Sequence, residues 1–249
     1  MSLSDLKHRF DLDGYVVVRN FLNGEKLGKL RNELDRYITT IVPALPRTDV
    51  FYENRMTEST LKQMAKIKEH DSWFSELISC EPWIGLAKTL LDDEVVPREL
   101  EWFNKPPRIG KPTPPHQDGF YFMLEPNEAV TMWLALDPAD ESNGCVRYIP
   151  GSHKLNIRPH QKTQVLGFSQ GISDYGPADF EKEVPMIVEP GDLLVHHALT
   201  IHRADGNESE RDRRSLGMIY FAKRARQDSS TLSAYQENLY AELEKNEKI

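Results

Sequence analysis

The chain has 249 residues, enough for one large domain or at most two small ones. A formal net charge of −8, with no sustained Lys/Arg run, argues against a nucleic-acid surface. No apolar run approaches membrane-spanning length, the N-terminus is polar, and two cysteines without a CxxC pair argue against a disulfide framework or a thiolate zinc site. The expectation is one soluble, cytoplasmic domain with a small-molecule partner and no nucleic-acid or membrane partner; nothing fixes its oligomeric state.

In chain order, Ser4 is positioned to cap a short helix running to about Asp11, and Asp13-Gly14 gives a turn. Residues 14–22 are β-branched and apolar and read as a strand. Asn23 caps a helix whose buried stripe is Leu27, Leu30, Leu34, Tyr37 and Ile41, ended by Pro43 and Pro46. Residues 47–58 read as a loop and 59–93 as helical, with Leu61, Met64 and Ile67 opening the pattern. Short strands follow at 95–96, 100–104, 116–124, 129–136, 145–149, 186–188, 192–197 and 214–222, separated by turn signals. A helical tail covers 230–248, with Leu232, Tyr235, Leu239 and Leu243 as its apolar positions. The predicted fold class is mainly β with flanking α-helices, a sandwich or jelly-roll barrel. Residues 1–93 would be a mostly helical part packing on the barrel, 94–225 the jelly-roll core, and 226–249 a C-terminal helix.

Two stretches carry chemistry. His116 and Asp118 are two apart, so on a strand an imidazole and a carboxylate reach one point together. That is two-thirds of a 2-His-1-carboxylate site, the ligand set of non-haem Fe(II) oxygenases. Residues 190–215 offer His196, His197 and His202 for the third position. His202 precedes a turn at 204–207 that leads into 213–221, and a hairpin there would set an Arg beside the His strand. An Arg fork pairs bidentately with a carboxylate, as a diacid co-substrate would require. His196 and His197 alternate along a strand, so a core or hydrogen-bonding role suits both. His153 and His160 read as loop residues.

These residues resemble the phytanoyl-CoA dioxygenase family of Fe(II)/2-oxoglutarate oxygenases. The matching elements are Lys105-Pro-Pro, His116-Gln-Asp118, Trp133-Leu-Ala-Leu, Asn143-Gly-Cys, Ile149-Pro-Gly-Ser-His153, Gly191-Asp-Leu-Leu, and His202 with Asn207 and Arg213, in family order across about residues 10–225. The resemblance implies a cupin-like double-stranded β-helix. It implies Fe(II) held by His116, Asp118 and His202, and 2-oxoglutarate chelating the metal and meeting Arg213, with Arg214 facing the other way. Trp133 matches a position beside the co-substrate, and Lys62 a further contact to it. O2 and 2-oxoglutarate would be consumed, with succinate and CO2 released and a substrate oxidised. Halogenases of the superfamily carry a small residue where this chain keeps Asp118, which favours hydroxylation.

Tyr121 and Phe122 lie close enough to Asp118 to line the substrate space, although they, Trp102 and Trp133 also suit an ordinary core. Arg147 and Arg158 could meet an anionic substrate or face water. Residues 158–176, with Gly167, Gly171 and Gly176 as hinges, read as a lid. Two rival readings are a non-catalytic cupin-like protein binding a metal or small molecule, and a cupin enzyme without 2-oxoglutarate. The second commonly uses more histidines and no Arg anchor.

Overall fold

The computed structural model describes residues 2–165 and 168–245; Gly167 and the side chain of Leu243 lie outside what is described. Helix α1 (Leu3–Asp13) is capped by Ser2 rather than Ser4: Ser2 keeps extended backbone, and its hydroxyl accepts from the Asp5 N–H at 3.1 Å. Gly14 ends α1 at φ 81°, a left-handed conformation that suits glycine. Strand β1 (Tyr15–Val18) is shorter than expected. Helix α2 (Gly24–Thr40) starts at an Asn23 cap and buries Leu27, Leu30, Leu34 and Tyr37.

The supposed loop at 47–58 contains β2 (Val50–Tyr52), and the residues read as the start of a helix form β3 (Leu61–Met64). Leu61 and Met64 fit a helical stripe by spacing, but pairing with β2 overrides it. Helices α3 (Ile67–His70), α4 (Ser72–Ser79) and α5 (Trp83–Leu91) follow as expected. Strand β4 (Val95–Lys105) is one long strand where two were predicted. Strand β5 (Thr113–His116) ends at its histidine, and 118–122 form a helical turn, α6 (Asp118–Phe122), not a continuing strand.

Next come β6 (Leu124–Glu125), β7 (Ala129–Ala135) and β8 (Val146–Tyr148). The supposed loop at 158–176 contains a hairpin of β9 (His160–Val165) and β10 (Phe168–Ile172). After α7 (Pro177–Phe180), the strand expected at 186–188 is displaced to β11 (Val184–Pro185), and Val188 makes only an isolated bridge to Ala139. The chain closes with β12 (Leu193–His197), β13 (His202–Ala204), β14 (Arg213–Ala222), β15 (Arg226–Gln227) and α8 (Ser229–Lys245).

The strands form a seven-stranded antiparallel sheet, β1-β12-β7-β14-β4-β3-β2, and a four-stranded one, β11-β8-β13-β5, with two small ribbons. The fold is thus mainly β with flanking helices, as two jelly-roll sheets rather than one closed hydrogen-bonded ring among the described residues. The seven-stranded sheet has two different faces. Leu100, Trp102, Met132, Leu134, Leu216 and Met218 join one core with the helices. Each such side chain, fully buried, contributes about 1.5–3 kcal/mol. Alternate residues on the same strands, Glu101, Phe103, Thr131, Trp133, Arg213 and Gly217, line a cavity instead, and His116, Val146 and His202 of the four-stranded sheet line it from the other side.

Candidate active site

His116 and His202 are brought together by strand pairing. They are register partners on β5 and β13, with ring centroids 4.2 Å apart. Asp118 joins them from the first position of α6, so the His-x-Asp pair converges at a strand end and not by pleat alternation. One ligand atom from each of the three residues lies within 4.8 Å of the others. Asp118 Oδ1 is 3.4 Å from His116 Nε2 and 3.6 Å from His202 Nε2. Each imidazole donates its Nδ1–H to a backbone carbonyl, His116 to Pro114 at 2.8 Å and His202 to Thr200 at 3.0 Å. That fixes the tautomer and leaves both Nε2 lone pairs facing the carboxylate oxygen. Burial, with His116 and His196 nearby, holds the His202 imidazole well below its ordinary pKa, so it is neutral. Two imidazole nitrogens and one carboxylate oxygen are the donor set for a divalent iron with open positions.

A hydrogen-bond chain orients the carboxylate. Thr131 Oγ1 donates to Asp118 Oδ2 at 2.5 Å, and His196 Nε2 donates to the same oxygen at 3.0 Å. His196 Nδ1 accepts from the Tyr148 hydroxyl at 2.8 Å. With Oδ2 occupied, Oδ1 is turned to the imidazoles. Burial would raise the Asp118 carboxyl, but the imidazoles grouped around it and the hydrogen bond from His196 outweigh it and hold it well below the carboxylate range. His196 has a hydrogen-bonding role, as its alternation suggests. His197 faces away, between Phe10 and His153, and burial holds it at about 4. Thr131 and Tyr148 were not singled out; the available signal was their inward phase on β7 and β8.

Arg213 does not arrive by a hairpin beside the His202 strand. β13 pairs with β5 and β8, whereas β14 pairs with β4 and β7, so the arginine reaches in from the facing sheet. Asn207 ties the crossing loop down through its side-chain amide, which donates to the carbonyls of Lys105 at 2.7 Å and Arg211 at 2.6 Å. Arg213 is 5% exposed, its guanidinium carbon lies 5.2 Å from the Trp133 ring centroid, and its Nε has no partner. Burial lowers its pKa to about 10, so it stays charged at neutral pH. Arg214 turns outward to Asp137 at 2.8 Å. Lys105, the register partner of Arg213, also lines the cavity and is held well below its ordinary pKa by burial and by Arg213. Lys62 lines it too, paired with Glu53 at 3.1 Å.

The cavity holds about 260 Å³. Tyr121 and Phe122 form part of its wall, and the Tyr121 hydroxyl donates to the Gln170 carbonyl at 2.7 Å, tying α6 to the β9–β10 hairpin. Arg147 is not at the cavity. It points away from it, between its inward neighbours Val146 and Tyr148, and pairs with Glu141 at 2.6 Å and Asp205 at 2.9 Å. Arg158 is likewise committed to Asp174 and Asp179. Glu101 and Gln63 line the cavity and were missed, because an inward-facing polar residue on a strand looks like an outward one in sequence.

Residues 10–215 match the phytanoyl-CoA dioxygenase (PhyH) family. Phytanoyl-CoA dioxygenase 1 of Oryza sativa subsp. japonica is 34% identical over 251 residues, covering 87% of this chain and 88% of the rice protein. The peroxisomal phytanoyl-CoA dioxygenase of Bos taurus is 27% identical over 220 residues, 83% of this chain but only 65% of the bovine protein's length. The fold is shared with the epimerase SnoN, solved in complex with Fe3+, alpha ketoglutarate and nogalamycin RO, at a TM-score of 0.73 and 23% identity over 90% of this chain and 85% of that one. The chain belongs to the phytanoyl-CoA dioxygenase (PhyH) family.

Proposed function

We propose that this chain is a single oxygenase unit that hydroxylates a small organic molecule, with Fe(II) held by His116, Asp118 and His202 and 2-oxoglutarate anchored by Arg213. The observation that carries the reading is the convergence of the two Nε2 lone pairs with an Asp118 oxygen, facing a buried arginine across one cavity. The bound iron would supply the coupling of O2 activation to decarboxylation of 2-oxoglutarate to succinate. The chain's own residues bind and orient. His196, Thr131 and Tyr148 hold Asp118 with one oxygen turned inward. Arg213, with its unpartnered Nε, suits the distal carboxylate of a diacid. Trp133 supports the guanidinium from one side; Lys62, tied to Glu53, contributes positive field and a weaker contact. Tyr121 and Phe122 bound the space beside the reacting position. Retention of Asp118 supports hydroxylation over halogenation.

The β9–β10 hairpin supports a cover over the cavity: Val165 lines it, and Ser169 bonds the Tyr235 hydroxyl of α8 at 2.5 Å. Trypsin cleavage after Lys162 is expected to slow when Fe(II) and 2-oxoglutarate are added; an unchanged rate would count against a cover. No described helix is long and apolar enough to cross a membrane. Both cysteines are free, which supports a reducing compartment such as the cytoplasm.

The test is oxygen-dependent conversion of 2-oxoglutarate to succinate by the iron-loaded protein. Turnover is expected in wild type and lost in Asp118→Ala. No succinate from a folded, iron-loaded protein over a broad substrate panel would favour a non-catalytic binding protein. Full activity in Arg213→Ala would favour a cupin enzyme that does not use 2-oxoglutarate.

A further inference from the structure

By strand alternation, one face of β4 carries Glu99, Glu101, Phe103 and Lys105. Lys105 sits at the Arg213 end of the cavity; Glu101 lines it four residues away, roughly 13 Å along the strand. The cross-strand neighbour of Glu101 is Gly217, and beyond Gly217 lies Trp133. With no side chain at Gly217, the Phe103 ring packs over that strand; a Cβ there would come within 2.9 Å of it.

Gln63 approaches from β3. It is 6% exposed and hydrogen-bonds to Glu101. In its ionised form, the one an ammonium would meet, Glu101 only accepts, so the Gln63 amide NH2 is the donor and its Oε1 is left over. That oxygen is buried with no partner. The charges acting on Glu101 are those of two other carboxylates, Glu99 and Asp118. The wall on the Asp118 side therefore presents one buried acceptor that lacks a donor, Gln63 Oε1, beside the Glu101 carboxyl, a costly state in a buried site. A hydrocarbon chain would leave it so. A primary ammonium brings three N–H donors and the missing positive charge.

We propose that Glu101 and Gln63 form a substrate-recognition subsite for a protonated amino group, so that the substrate is a small amine. This rests on the oxygenase reading and names its substrate class. The two ends of β4 then sort the two reactants by charge: the diacid goes to Lys105 and Arg213, and the amine to Glu101.

The experiment loads the full chain anaerobically with Fe(II) and 2-oxoglutarate and titrates it with primary amines, from methylamine to hexylamine plus benzylamine. The alcohol and the carboxylate of each skeleton are the matched controls. Binding is read from the shift of the iron–2-oxoglutarate absorption band and from tryptophan fluorescence. At least one amine is expected to bind roughly tenfold or more tightly than its alcohol. Glu101→Gln, which is isosteric, is expected to abolish that preference while the band without probe is unchanged and the fold is retained by circular dichroism. No amine preference, or a preference that survives Glu101→Gln, would overturn the proposal. A wild type that forms no band fails at the oxygenase reading instead; a normal band without amine preference removes only the subsite.

Discussion

The two faces of the seven-stranded sheet are built by the same strands and do opposite work. On β14, Leu216, Met218 and Tyr220 pack against the helices, while Arg213, Gly217 and Ile219 open onto the cavity. On β7, Met132 and Leu134 face the helices, while Thr131 and Trp133 face the site. The helix face gains free energy from apolar burial. The cavity face spends some of it by holding Asp118, Glu101, Lys105 and Arg213 away from water. A strand that alternates one residue at a time therefore separates stability from chemistry.

Breaking the cavity face at the proposed metal ligands should have the largest effect. Asp118→Ala is expected to lower turnover by about 10³-fold or more, over 4 kcal/mol, with the fold intact by circular dichroism. On the helix face, Leu134→Ala should cost about 2–5 kcal/mol of unfolding free energy in urea while leaving 2-oxoglutarate affinity near wild type. Arg213→Ala should raise the apparent Kd for 2-oxoglutarate about 100-fold, and Arg213→Lys should recover only part of it, since a point charge lacks the fork. His196→Ala should weaken iron affinity about 10–100-fold, because Asp118 Oδ2 loses a donor.

The smallest effect concerns pH. Burial, then Glu99 and Asp118, push the Glu101 carboxyl from 4.5 to about 8. The folded state thus binds this proton more tightly than the unfolded chain. The stability it contributes is present below about pH 4.5 and lost as the pH rises through about 8. Ligand-free wild type should therefore lose melting temperature relative to Glu101→Gln across that window. Parallel curves would show that Glu101 is solvated and ordinary.

The convergence of His116, Asp118 and His202 was legible because its information is local: a His-x-Asp spacing and a later His in an ordered motif. The backbone that joins them was not. Asp118 sits on a helical turn, since Gln117 leaves the strand and the following residues fold back toward Ala198, whose carbonyl accepts from Gly119 at 2.8 Å. That Arg213 reaches the cavity was legible, but its route was not, because sheet membership depends on pairing between distant strands. β3 was lost to its helical spacing for the same reason. Thr131, Tyr148, Gln63 and Glu101 were invisible because their importance lies in which neighbour each one faces. The same ambiguity of phase left Arg147 open between a substrate contact and the outward position it takes.

The most direct measurement is an anaerobic titration of the iron-loaded protein with 2-oxoglutarate, followed by the weak visible charge-transfer band. The expected result is a saturable band in wild type, absent in Asp118→Ala and His202→Ala, and shifted to much higher 2-oxoglutarate concentration in Arg213→Ala. A folded, iron-loaded wild type that shows no band, or an Arg213→Ala variant that saturates like wild type, would contradict the assignment of the site.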